Sequence, residues 1–224
     1  MIGNESHWAD TILIVDNFIK DPELLAAIND DDYWKQSSQP STWYPRYTTP
    51  RNPLEQYVSQ VYHDMYPSII TPDITGFEYW GWNVHAGDNG IGIHLDHDEY
   101  QQWTEGTVLT PRFLTIFYPE VSEDIEGGEL YLYNEHHFAD TEFFTQEGNQ
   151  VPIEQRDKTP LGEPTVLTPK KNRLIIAPGC YYHEVKPVTR GFRRSLNCNP
   201  WQKPEDGRAD ITFDYKDREK LLGR

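Results

Sequence analysis

"YYHEVKPVTRGFRRSLN", Tyr181 to Asn197, is the stretch on which the reading of the fold turns. His183 sits inside a β-rich run, and Arg193 sits inside a second run ten residues later. A turn-back of that length can bring Arg193 close to a pocket around His183. Alternate side chains along a strand share a face. Arg193, Ser195 and Asn197 therefore fall on one side of the second run, with Arg194 and Leu196 on the other.

The segments upstream have the same character. "FEYWGWNVHAG", "GIGIHLD", "RFLTIFY", "GELYLYN", "TVLTPKKNRLIIAP", "CYYHEVKPV" and "FRRSLNCNPW" are short, β-rich and separated by Gly, Pro, Asp or Asn. Many short strands with turn signals predict a sandwich or barrel. The chain before residue 77 reads differently. "TILIVDNFI" (Thr11–Ile19) predicts a strand. Asp21 as N-cap and Pro22 at the first helical position predict a helix over 22–29. Leu54, Val58 and Val61/Tyr62 at helical spacing predict a second helix within 50–66. The expected architecture is a single domain over 1–224. It has an N-terminal strand–helix region (1–70), a mainly β core (77–201) with the helices packed on it, and a C-terminal tail (202–224). Residues 140–165, polar and proline-containing, read as a long excursion that suits a lid.

Composition narrows the function classes. With 224 residues, 37% hydrophobic, 13% aromatic and 7 Trp, the chain can fill a real core. Its 20 basic and 36 acidic residues leave a formal charge of −16. That argues against a nucleic-acid footprint and against an anionic membrane surface. Cys180 and Cys198 are too few for a disulfide scaffold and lack C-x-x-C spacing. The start "MIGNESHWAD" lacks a secretory pattern, and no apolar run is long enough to span a bilayer, so the expectation is a cytoplasmic protein.

Metal-ligating residue types cluster in "GIHLDHDEY", Gly92 to Tyr100. Both His94-Leu95-Asp96 and His97-Asp98-Glu99 read H-x-[D/E]. Such a triplet is common by chance, and taken alone it reads as a polar strand end with solvated charges. His183 strengthens the metal reading. Two histidines and one carboxylate form the facial triad of non-haem Fe(II) oxygenases, which leaves coordination positions open. A guanidinium nearby suits the distal carboxylate of 2-oxoglutarate, which it can grip bidentately. The remaining histidines read as bland: His136 and His137 as a solvated turn, His63 and His7 as structural or exposed. Gly127-Gly128 reads as a turn before a strand.

Taken in order, these pieces resemble the Fe(II)- and 2-oxoglutarate-dependent dioxygenases, most closely the prolyl 4-hydroxylase-like branch. The pieces are "IVDNFIKDPELLAAI", His94-Leu95-Asp96, "RFLTIFYPE", "GGELYLY", "NRLIIAPG" and "HEVKPVTRGFRRSL". The resemblance covers roughly 11–201 and implies a double-stranded β-helix (jelly roll). It selects His94, Asp96 and His183 as Fe(II) ligands and Arg193 as the partner of the 2-oxoglutarate 5-carboxylate. The implied cofactors are Fe(II), 2-oxoglutarate and O2, with ascorbate as an accessory. Relatives often carry a tyrosine just before H-x-D; here Val84, His85 and Ile91 stand there. Thr115, Asn83, Tyr118 and Ser195 are the candidates for the second cosubstrate contact. Trp201 is the candidate wall of the substrate pocket, together with Tyr118, and segments 38–52 and 97–111 are candidate substrate-side loops.

The function so implied is hydroxylation of prolyl residues in a peptide or protein, releasing succinate and CO2. Two alternatives stand beside it. One is the same chemistry on a free amino acid or small molecule. The other is a metal-binding jelly-roll module without catalysis, which would have no need of Arg193 at that offset from His183.

Overall fold

The computed structural model describes residues 12–35, 41–65, 72–98, 109–133 and 162–202. Strand β1 (Leu13–Asp16) leads into helix α1 (Pro22–Ile28), a 3-10 turn (Tyr33–Lys35), β2 (Thr42–Pro45) and helix α2 (Pro53–Ser59). Ten strands follow: β3 (Gly76–His85), β4 (Ile91–His94), β5 (Phe113–Val121), β6 (Glu126–Gly127), β7 (Leu130–Tyr133), β8 (Thr165–Leu167), β9 (Arg173–Pro178), β10 (Tyr182–Val185), β11 (Val188–Arg190) and β12 (Phe192–Trp201).

Local chemistry sets the N-terminal elements. The Asp21 carboxylate accepts from the Glu23 amide at 2.9 Å, and Asn52 caps α2 through the Glu55 amide at 2.9 Å. Each cap is followed by proline, whose fixed φ suits the first helical turn. The strand expected over 11–19 is shorter than its apolar run, because Asn17 turns to φ 52 and ends it. The second helix expected within 50–66 is α-helical only to Ser59, and Gln60–Met65 widen into a π-helix. That widening keeps Val58, Val61 and Tyr62 all buried.

The β core forms two antiparallel sheets. The larger has the order β1-β9-β5-β12-β3-β2 and the smaller β4-β10-β7-β8; β6 and β11 make a separate ribbon. From β3 onward the chain passes between the two sheets, which is the winding of the double-stranded β-helix. Two runs that read as single strands are divided. "TVLTPKKNRLIIAP" splits into β8 and β9 in different sheets, across a turn holding Asn172 at φ 58. "CYYHEVKPV" breaks at Pro187, which has no N–H for a ladder, into β10 and β11.

There are two apolar layers. One fills the space between the sheets, with Leu114, Ile116, Tyr118, Leu130 and Leu132. The other joins the outer face of the large sheet to the helices, through Phe18, Tyr57, Phe77, Phe117, Leu196 and Cys198. Tyr57 stacks on Phe117 at 4.9 Å and Tyr62 on Phe77 at 4.8 Å. Full burial of one such aromatic ring stabilises by about 2–3 kcal/mol. Asp16 ties β1 to β9 through Arg173 at 2.6 Å and Lys170 at 2.7 Å.

Neither Cys180 nor Cys198 is in a disulfide. No helix among the described residues is long and apolar enough to cross a membrane. The excursion expected over 140–165 lies, up to residue 161, outside the described residues, as do His7, Trp103, His136 and His137.

Candidate metal centre and cavity

His94 closes β4, and the β10–β4 register sets His183 directly opposite it. Residues opposite one another in an antiparallel pair point to the same face, and the two imidazole centroids are 4.0 Å apart. Asp96 lies two residues past His94, where β4 has ended. Its Oδ1 is 3.6 Å from His94 Nε2 and 3.8 Å from His183 Nε2. Ligand atoms of all three side chains lie within 4.8 Å of one another. No other group of three or more such side chains converges this way among the described residues.

The backbone aims both imidazoles. His94 Nδ1 lies 2.8 Å from the Gly92 carbonyl and His183 Nδ1 lies 3.2 Å from the Tyr181 carbonyl. A carbonyl only accepts, so each Nδ1 carries a proton, and in the neutral ring that tautomer leaves the Nε2 lone pair for a metal. Burial drives the His183 pKa down to about 4, helped by His94 and opposed by Asp96, so His183 stays neutral as a ligand must. His97, the other reading of the sequence, donates its Nδ1 hydrogen to the Leu95 carbonyl at 2.8 Å and does not belong to the cluster. Two imidazoles and one carboxylate, with His94 left partly exposed, suit a divalent ion that keeps open positions.

A cavity of about 190 Å³ extends from this cluster between the sheets. Arg193, Ser195 and Asn197 line it from β12, and Tyr118 from β5. Arg193 is 3% exposed. It donates to the Ser195 hydroxyl at 2.8 Å and lies 5.7 Å over the Tyr118 ring. Its Nε has no hydrogen-bond partner, and no carboxylate pairs with it among the described residues. Burial pulls its pKa down against the opposing effect of Tyr118, yet a guanidinium remains protonated in proteins. The result, among the described residues, is a buried cation without a paired carboxylate, facing the cavity. Burial also pushes the Tyr118 phenol up, so it stays a neutral hydroxyl able to donate. Arg194 points the other way. It donates to the Asn29 carbonyl at 2.8 Å and to Asp31 at 2.6 Å.

Three of the residues singled out in the sequence lie away from this cavity. Thr115 does not reach the cavity: Leu114, Ile116 and Tyr118 take the inner face of β5, and Thr115 faces the helices, bonded to the Tyr62 hydroxyl. Asn83 is likewise on the outer face, opposite Arg194, and donates to the Trp34 carbonyl at 2.8 Å. Trp201 is buried beyond the cavity, with its indole N–H on Glu78 at 3.0 Å. Trp80 and Trp82 line the cavity instead. Asn199, which the sequence reading did not single out, donates to Asp96 Oδ2 at 2.7 Å. The candidate substrate loops are partly described: 38–52 contributes β2, and 99–108 lie outside the described residues.

A jelly roll that presents two imidazoles and a carboxylate from one sheet edge, beside a buried arginine, has the architecture of a mononuclear metal enzyme. The chain belongs to the 2OG-Fe(II) oxygenase superfamily, whose family profile matches residues 80–201. No curated protein matches the sequence. Among solved structures, the chain is similar to a Pseudomonas putida prolyl-4-hydroxylase at 15% identity and TM-score 0.55, covering 87% of this chain and 94% of that one. It is similar to a Trichoplax adhaerens prolyl hydroxylase in complex with a hypoxia inducible factor peptide fragment, at 14% identity and TM-score 0.51, covering 90% and 88%. It is also similar to IDO from Bacillus thuringiensis, at 14% identity and TM-score 0.52, covering 86% and 90%. At these identities the likeness is one of fold.

Proposed function

We propose that the chain is an Fe(II)- and 2-oxoglutarate-dependent hydroxylase of prolyl residues in a peptide or protein. The observation that carries the cosubstrate is Arg193. A buried guanidinium with a free Nε, in the same cavity as His94, Asp96 and His183, asks for a carboxylate that the described residues do not supply.

His94, Asp96 and His183 would hold the metal, their Nε2 lone pairs and Oδ1 already converging. Arg193 and Ser195 would take the 5-carboxylate, with the Tyr118 hydroxyl as the second contact where relatives use a tyrosine nearer H-x-D. With 2-oxoglutarate and O2 the iron supplies oxidative decarboxylation to succinate and CO2, coupled to hydroxylation of a C–H bond. The apolar walls Ile91, Leu114 and Ile116 exclude water from that chemistry. The prolyl reading draws on the two prolyl hydroxylases of the same fold, one of which is held with a peptide. Trp80 and Trp82 on the cavity wall offer apolar faces on which a proline ring can pack.

The test has two stages. Anaerobic addition of Fe(II) and then 2-oxoglutarate to the apoprotein should give a visible iron–keto-acid charge-transfer band that is absent in Asp96→Ala. Succinate release should then rise with proline-containing peptides and not with free proline. A band without peptide-dependent succinate, but with turnover on a free amino acid, would move the substrate to the small-molecule class. Bound Fe(II) with no band would remove the oxygenase reading.

A further inference from the structure

Asn199 is fully buried on β12 and lies on none of the motifs that mark the metal centre. We propose that it is the positioning residue for Asp96, engaging one carboxylate oxygen so that the other is presented to the metal; the inference rests on the Fe(II) centre proposed above. Its amide can stand only one way round. The Thr115 backbone N–H, which can only donate, lies 3.3 Å from Asn199 Oδ1. The oxygen therefore faces β5 and the NH2 faces Asp96, where Nδ2 donates to Oδ2 at 2.7 Å. That leaves Oδ1, the atom 3.6 Å from His94 Nε2 and 3.8 Å from His183 Nε2, as the ligand.

Asp96 needs such a holder more than the two histidines do. Both rings are fixed by ladder pairing and by their Nδ1 bonds to carbonyls. Asp96 stands past the end of β4, with no ladder partner. A carboxylate free to rotate would offer either oxygen, or both, and would hold the ion less tightly. The clamp is itself anchored on the far side of the sheet. Tyr62 donates to the Cys198 carbonyl at 3.1 Å and bonds the Thr115 hydroxyl, which fixes the strand positions flanking both ends of the amide bond.

The test is metal affinity, without turnover. Apoprotein is titrated with Mn(II), following the loss of the free-ion EPR signal, for wild type, Asn199→Ala, Asn199→Leu, Cys198→Ala and Asp96→Ala. Leu matches Asn in shape and keeps the space filled while removing the donor, so it serves if the alanine variant does not fold. Cys198→Ala loosens the same strand on its opposite face. We expect Asn199→Leu to weaken Mn(II) by about 10- to 100-fold, the range for partners that orient a ligand, with Cys198→Ala at the wild-type value. A folded Asn199→Leu that binds Mn(II) like wild type, or a Cys198→Ala that weakens it as much, overturns the proposal while the metal centre stands. Equal binding by wild type and Asp96→Ala would overturn the metal centre and the role of Asn199 with it.

Discussion

Replacing Arg193 by methionine should separate cosubstrate binding from stability in opposite directions. Methionine keeps the aliphatic stem that packs in the cavity and removes the charge. In the apoprotein that charge is buried and, among the described residues, meets the Ser195 hydroxyl and the Tyr118 ring face. Removing an uncompensated buried charge should not destabilise the fold, and a gain of about 1 kcal/mol, or about 2–4 °C, is expected. With 2-oxoglutarate the balance reverses. Losing one partner of a buried, hydrogen-bonded ion pair costs about 3–5 kcal/mol, which is roughly a 100- to 5,000-fold weaker affinity. Anaerobic calorimetric titration of the Mn(II) form with 2-oxoglutarate, beside thermal melts of the apoprotein, reads both. Arg194→Met is the control. It loses the bond to Asn29 and a pair with the exposed Asp31, so it should be less stable by about 1 kcal/mol and bind the keto acid normally. The reasoning is refuted if Arg193→Met binds 2-oxoglutarate like wild type, or if Arg194→Met is the variant that loses it.

Other perturbations have equally definite outcomes. Gly128 sits at φ 75, and a Cβ there would stand 3.0 Å from Val188 Cγ2 and 3.2 Å from Arg193 Nε; Gly128→Ala should cost about 1–2 kcal/mol in urea unfolding and also weaken 2-oxoglutarate. The Arg173 and Lys170 partners hold the Asp16 carboxyl well below its ordinary value of 3.8. Its contribution is therefore present above about pH 4 and lost progressively as pH falls further; Asp16→Asn should cost about 0.5–1 kcal/mol at pH 7, and the gap to wild type should narrow in unfolding curves taken toward pH 2. Burial lowers the His183 pKa from 6.5 to about 4, so the unfolded chain takes up that proton first. Apoprotein stability should fall between pH 6.5 and 4, and His183→Gln should flatten that slope in denaturant melts.

The sequence was most legible where one strand face is polar and the other apolar. Along β12 the alternation of Arg193, Ser195 and Asn197 with Arg194, Leu196 and Cys198 separates the faces before any coordinates are known. It was least legible where a strand is buried on both sides. In β5 nearly every residue from Phe113 to Val121 is buried, so nothing in the pattern says which parity looks inward, and Thr115 reads as well as Tyr118. In β3, Asn83 and Trp82 are adjacent, and the polar residue faces outward because Trp34 offers it a carbonyl. Trp201 has the parity of the cavity residues but lies past its end, a matter of distance along the strand that alternation does not encode. Asn199 was invisible for another reason: its partner Asp96 is 103 residues away, and only the sheet order brings the two together.

The two faces of β12 leave the protein room to change. Leu196 and Cys198 hold the large sheet to the helices, while Arg193, Ser195 and Asn197 look into the cavity. Odd-numbered positions can therefore be exchanged, and a new cosubstrate or substrate preference explored, while the even-numbered positions go on holding the molecule together. A lineage built on such a strand can drift in chemistry without first passing through an unfolded ancestor. Asn199 marks the limit of that freedom, because its side chain bonds both the metal ligand Asp96 and the backbone of β5.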